Sequence, residues 1–200
     1  MLVKNYTEDD FLRDFGVLES GGRILNAGSS EVRYGDRCFN VDIQPGDNVD
    51  LVCDLHELPD SIGTFDAIIC NAVLQYCRRP DVIASQFHRR LKPGGLLFVD
   101  APWVQPYCPD TPDRYRFSKE ALLSIFSEFE ILKSGVSIRP GSALVMVGSY
   151  IAGSMTGNRY VNRALSMLTT ALLFPLCYIR TRDEERAAGA FYVVARKPAA

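Results

Sequence analysis

Four short apolar runs in the first half of the chain each end on residues able to hold a ligand. Ile24-Leu-Asn-Ala-Gly28-Ser-Ser30 closes on a glycine, which permits a tight turn and a close backbone approach. Asn40-Val-Asp42-Ile43 ends on a carboxylate able to accept both hydroxyls of a ribose. Cys53-Asp54-Leu55 joins a polar to an apolar side chain, a pair suited to the edge and face of a base. Ile69-Cys70-Asn71-Ala72 ends on a carboxamide. In an open parallel sheet these ends share the carboxyl edge, where such sheets bind ligands.

The elements needed to position them follow from the pattern. Thr7 is an N-cap residue, with Glu8, Asp9 and Asp10 in the first turn and Phe11, Leu12, Phe15 and Leu18 apolar. Strands are expected over Arg23–Ala27, Cys38–Ile43, Val49–Cys53, Phe65–Cys70 and Leu96–Asp100, the central ones apolar on both faces. Asp81–Leu91 has one apolar helical face and stops at Lys92-Pro-Gly-Gly95. Ser118 restarts a helix, and Glu128–Ile138 and Phe191–Arg196 read as late strands. Strands alternating with helices predict one α/β domain over residues 1–200. Its sheet is Rossmann-like, doubly wound, seven-stranded and mostly parallel, with helices on both faces and an antiparallel last strand. A helical apolar insertion over 141–186 is expected before that strand.

With 22 basic and 24 acidic residues, the chain has no cationic excess for phosphates, which argues against nucleic acid. The six cysteines include no CxxC pair, and only His56 and His88 are present, so no metal site is expected. The N-terminal residues carry no signal-peptide pattern, and a cytoplasmic location follows as the expectation. Charge is uneven: from residue 156 onward seven basic residues face three acidic ones. Ala164–Ile179 is apolar, contains Pro175 and is too short to span a bilayer, and Arg163, Arg180 and Arg182 flank it. Packing on the sheet or on a second protomer, as in a homodimer, is one reading of 159–182. Peripheral contact with the inner face of a membrane is the other.

In order and spacing, ILNAGSS, VDI, CDLHELP, FDAIICNAVLQY and RRLKPGGLLFVDAP resemble a class I S-adenosylmethionine-dependent methyltransferase of the type 11 family. PDTPDRYRFSKEALLSIF resembles a stretch found in its polysaccharide-biosynthesis-associated subgroup. The resemblance implies S-adenosyl-L-methionine as cofactor. Gly28 and Ser29 would pass under its methionine part, with Asn26 near the ammonium. Asp42 would hold the ribose hydroxyls and Ile43 the adenine. Asp54 would accept from the adenine amino group or frame it with backbone, beside Leu55, unless it is simply a cap. Asn71 and Leu74 would flank the cofactor. The implied acceptor is a small molecule, a saccharide or a lipid-linked glycan.

Methyl transfer needs positioning of the acceptor and, for a hydroxyl, removal of a proton. Asp113 and Asp110 are the expected bases, with Tyr115 or Tyr76 orienting and Arg116 pairing with an anionic group on the acceptor. An Asp113–Arg116 ion pair that fixes the loop is the competing reading. The family's acid at 26 is replaced by Asn, and its histidines at 108 and 112 by Cys and Pro. Those replacements support a second reading, a binding or scaffold protein that keeps the fold without turnover. A nicotinamide dehydrogenase fits worse, because Ser29, Ser30 and Glu31 stand where a pyrophosphate needs glycines.

Overall fold

The apolar runs pair as strands of one sheet. A computed structural model describes residues 3–199. Its strands are β1 (Ile24–Ala27), β2 (Cys38–Asp42), β3 (Leu51–Val52), β4 (Phe65–Asn71), β5 (Leu91–Pro102), β6 (Glu130–Ile138) and β7 (Ala190–Arg196). Their order across the sheet is β3-β2-β1-β4-β5-β7-β6. The first five run parallel, and β7 is antiparallel to both β5 and β6. The helices are α1 (Glu8–Asp14), α2 (Pro80–Arg90), α3 (Lys119–Ile125), α4 (Pro140–Ala152) and α5 (Arg159–Leu173).

Alternation along the strands splits the core in two. One cluster joins Leu25, Ile68, Leu97 and Val193 to Ile83 and Phe87 of α2 and Leu122 and Phe126 of α3. The other joins Ile24, Ile69, Phe98 and Tyr192 to Tyr6, Phe11 and Leu12 around α1. Aromatic stacking ties that second layer together, with Tyr6 and Tyr192 ring centroids 4.3 Å apart and Phe11 and Phe98 5.5 Å apart. Thr7 caps α1 as expected, in a reciprocal capping box with Asp10.

Several boundaries differ from the sequence reading. β3 shrinks to two residues, because it is an edge strand paired on one side only. β5 starts at Leu91, and Lys92-Pro-Gly-Gly95 bulges out where the register jumps from Phe65↔Leu91 to Ala67↔Leu96. The expected turn is therefore a bulge inside a strand. Residues 28–37 link β1 to β2 by turns rather than by a helix. The 141–186 stretch forms the α4–α5 hairpin followed by two 3₁₀ turns.

With one short helix supplying most of the cover on its face, truncating that helix exposes the sheet. Phe11→Ala is expected to cost about 3–5 kcal/mol in urea unfolding. Leu18→Ala, at a half-exposed position, should stay within about 0.5 kcal/mol of the parent.

Candidate functional site at the carboxyl edge

The exit of β1 is a strained turn. Gly28 has φ +78° and Ser30 φ +48°, and Ala72, just past β4, has φ +55°. Left-handed backbone at non-glycine residues is uncommon and clusters at ligand sites. A Cβ on Gly28 would strike the side chain of Val73, so strands β1 and β4 approach closely here. Gly28 and Ser29 N–H groups both donate to the Val41 carbonyl, at 2.8 and 3.1 Å. The Asp42 carboxylate accepts from Ser30 N at 2.9 Å and from Gln44 N at 3.0 Å. A carboxylate has about four acceptor positions, so Asp42 keeps capacity for hydroxyls. Ile43 beside it is 67% exposed.

Three buried side-chain oxygens near these exits have no partner among the described residues: Ser29 Oγ, Asn71 Oδ1 and Gln75 Oε1. Buried polar atoms are normally satisfied, so these mark where a polar ligand belongs. Gln75 holds its place by donating from Nε2 to the Ala72 carbonyl at 2.7 Å.

Asn26 does something an acid could not. Its Nδ2 donates to the Val32 carbonyl at 2.9 Å, and the fully buried Asn40 donates to the same oxygen at 2.9 Å. Arg33 completes this frame by pairing with both oxygens of Asp50 at 2.9 Å. Two carboxamides therefore hold the β1–β2 link in place of a helix.

Other expected residues sit differently. Asp54 caps a 3₁₀ turn, accepting from His56 N at 3.0 Å and contacting the His56 ring, with Arg78 3.6 Å away. Burial pushes its carboxyl up, yet His56 and Arg78 together hold it below the ordinary carboxylate range. The cap and the His56 ring use one oxygen of that carboxylate, and the other keeps acceptor capacity beside Arg78. The side chains of Leu55 and Leu74 are core residues, packed with Ile83 and Phe87, so neither lines an open site.

The irregular loop after β5 also needs correction. Asp113 accepts from Arg116 at 2.5 and 2.6 Å and from Cys108 N at 2.9 Å. The Arg116 guanidinium holds the Asp113 carboxyl below its usual range, so it is a poor base. Arg116 also donates to the Pro106 carbonyl at 3.2 Å. This pair is a clamp inside the loop. Tyr115 donates its hydroxyl to the Arg78 carbonyl at 3.1 Å, and Arg114 N and Tyr115 N both donate to the Gln75 carbonyl. Of the three expected catalytic side chains, Asp113 and Arg116 brace the loop internally, and Tyr115 fastens it to the segment after β4.

The sequence reading overlooked Asp100. It pairs in register with Asn71 and, by alternation with Phe98, lies on the α1 face together with Asn26 and Asn71. Burial pushes its carboxyl up to about 6, against the pull of Lys4 and Ser137. Its Oδ2 has no partner among the described residues. A lone acid closing an apolar strand was the available signal.

Residues 22–99 match the family model described as a methyltransferase domain. The match spans 78 of the chain's 200 residues. No curated protein sequence matches the chain. Among solved structures, the [4+2]-cyclase SpnF is similar at 18% identity and TM-score 0.56, over 89% of this chain and 76% of its own. Coclaurine N-methyltransferase, bound to N-methylheliamine and S-adenosylhomocysteine, is similar at 12% identity and TM-score 0.54, over 98% and 76%. The 1,6-didemethyltoxoflavin-N1-methyltransferase of Burkholderia thailandensis, with bound 1,6-didemethyltoxoflavin and S-adenosylhomocysteine, gives 15% and 0.53 over 92% and 76%. At these identities the likeness establishes the fold. The carboxyl edge of the sheet is where the strained turns and unpaired oxygens lie, and the residues there fit a polar ligand.

The role of Asn26 is checked by replacing its carboxamide with a carboxyl group. Asn26→Asp is expected to destabilise by about 1–3 kcal/mol at neutral pH, since it removes a donor from the Val32 carbonyl and buries a charge. Protonation restores a donor, so the loss measured by chemical unfolding should shrink as pH falls through the carboxyl range.

Proposed function

We propose that this protein transfers the methyl group of S-adenosylmethionine to a small hydroxylated acceptor, a saccharide or lipid-linked glycan. The observation that carries the cofactor half is the coincidence of positive-φ turns with the unpaired oxygens of Ser29 and Asn71 at adjacent strand exits. The acceptor half rests on the resemblance of residues 109–126 to the polysaccharide-associated stretch.

The cofactor, when bound, supplies a methyl group already activated on a sulfonium. Catalysis then asks the protein mainly to position the acceptor. Asp42 would take the ribose hydroxyls, and Ser29 and Asn71 the polar groups nearest the β1 and β4 exits. Asp100 would supply the negative charge that Asn26 lacks, from the same face of the sheet. Gln75 Oε1 would accept from the acceptor, and Tyr76, on the same 3₁₀ turn, would orient it. The reading as a binding module without turnover is favoured by the Asp113–Arg116 clamp, which removes the loop's buried carboxylate from proton transfer.

Titration calorimetry with S-adenosylmethionine tests the site. Binding at about pH 7.5 should weaken at least about tenfold in Asp42→Ala, the scale of a charge-assisted hydrogen bond. Asp100 is charged above about pH 6 and neutral below it, so binding should weaken as pH falls through that value. In Asp100→Asn the weaker binding should be present at every pH and the pH dependence lost. A folded parent protein that does not bind would overturn the proposal, whereas binding without methyl release onto any sugar acceptor would favour the module.

A further inference from the structure

Helix α5 is turned the wrong way round for a helix that packs on its own protein. Tyr160, Val161, Ala164, Met167, Leu168, Ala171 and Leu172 fall at helical spacing and are all exposed, Tyr160 by 69% and Leu172 by 70%. The opposite face, against α4, mixes half-buried Leu165 and Leu173 with hydroxylated side chains. Ser149 and Thr170 hydroxyls lie 2.7 Å apart, and a Cβ on Gly148 would sit 3.5 Å from Thr169. None of the α5 residues is buried by the described chain. Tyr178 and Ile179, just beyond, are exposed as well. An apolar stripe of this length facing water calls for an occupant.

Charge identifies the occupant. Arg159, Arg163, Arg180 and Arg182 give residues 159–182 a balance of +4 with no acidic residue, while the rest of the chain carries −6. Arg159 and Arg163 on α5, and Arg180 and Arg182 beyond its far end, are all exposed. A second copy docked antiparallel across this stripe by two-fold symmetry would bring the arginines at one end of α5 toward those beyond the other end in its partner, with no carboxylate on α5 to relieve them. At about 1.5 Å per residue, the fifteen residues of α5 reach about 22 Å, short of the roughly 30 Å of bilayer hydrocarbon. A helix with one apolar stripe, arginine at each end and tyrosines at the boundary matches an anionic lipid surface.

We infer that the α4–α5 hairpin docks the protein flat on anionic membranes through the outward stripe of α5. Ser149, Ser154, Ser166 and Thr170 line the cleft between α4 and α5, together with Pro106 of the loop after β5. This inference does not rest on methyl transfer.

Vesicle flotation of the full chain tests it, using phosphatidylcholine alone and phosphatidylcholine with about one-third phosphatidylglycerol. Binding should be at least about tenfold greater on the anionic vesicles and should fall sharply at about 0.5 M salt. The double variants Arg159→Glu/Arg163→Glu and Leu168→Asp/Leu172→Asp should each lose at least about tenfold. Their melting temperatures should be unchanged, since these side chains are exposed. Absence of flotation, or equal binding to both vesicles, would overturn the inference. So would a dimer by light scattering that Leu168→Asp/Leu172→Asp disperses.

Discussion

Everything at the carboxyl edge depends on how ten residues carry the chain from the end of β1 to the start of parallel β2. Such crossovers normally take a dozen or more residues and a helix, whose backbone satisfies itself. Here the link has no helical ladder, so side chains must hold it. Asn26 and Asn40 converge on the Val32 carbonyl, Arg33 grips Asp50, and Asp42 takes the Ser30 N–H. The left-handed conformations of Gly28 and Ser30 follow from fitting the turn into that space. Ser29, between them, ends with its hydroxyl buried and without a partner among the described residues.

The same economy explains the opposite edge of the site. Because β4 passes close to Gly28, the chain leaves β4 through a strained Ala72 and places Val73 over the glycine. Gln75 then bridges outward, bonding Ala72 with its side chain and receiving Arg114 and Tyr115 on its carbonyl. The loop after β5 is thereby fastened to the β4 exit. Its internal Asp113–Arg116 pair is what lets a proline-rich, irregular segment keep one shape.

Much of this was legible in the sequence. The strand ends were readable because strands buried on both faces are nearly pure apolar runs, and their polar terminations stand out. What was not legible depended on partners distant in the chain or on direction. Asn26 looked like a lost acid because nothing local shows that the carbonyl six residues on needs a donor. Leu55 and Leu74 looked like ligand contacts, yet a leucine after a strand is as readily core, and only packing decides. Asp54 and Asp113 were each correctly tied to an alternative, cap and ion pair, and those alternatives are what the structure shows. The spacing of apolar residues in α5 was visible, but periodicity cannot tell which side of a helix faces its own protein.

The central claim is that the unpaired oxygens of Ser29 and Asn71, beside the Asp42 carboxylate, mark the seat of the cofactor. A crystal structure of the protein with S-adenosylhomocysteine tests it most directly. The account predicts ribose hydroxyls on Asp42, and polar cofactor atoms within hydrogen-bond distance of Ser29 Oγ and Asn71 Oδ1. A ligand bound elsewhere, or one bound here while both oxygens stay unpaired, would contradict it.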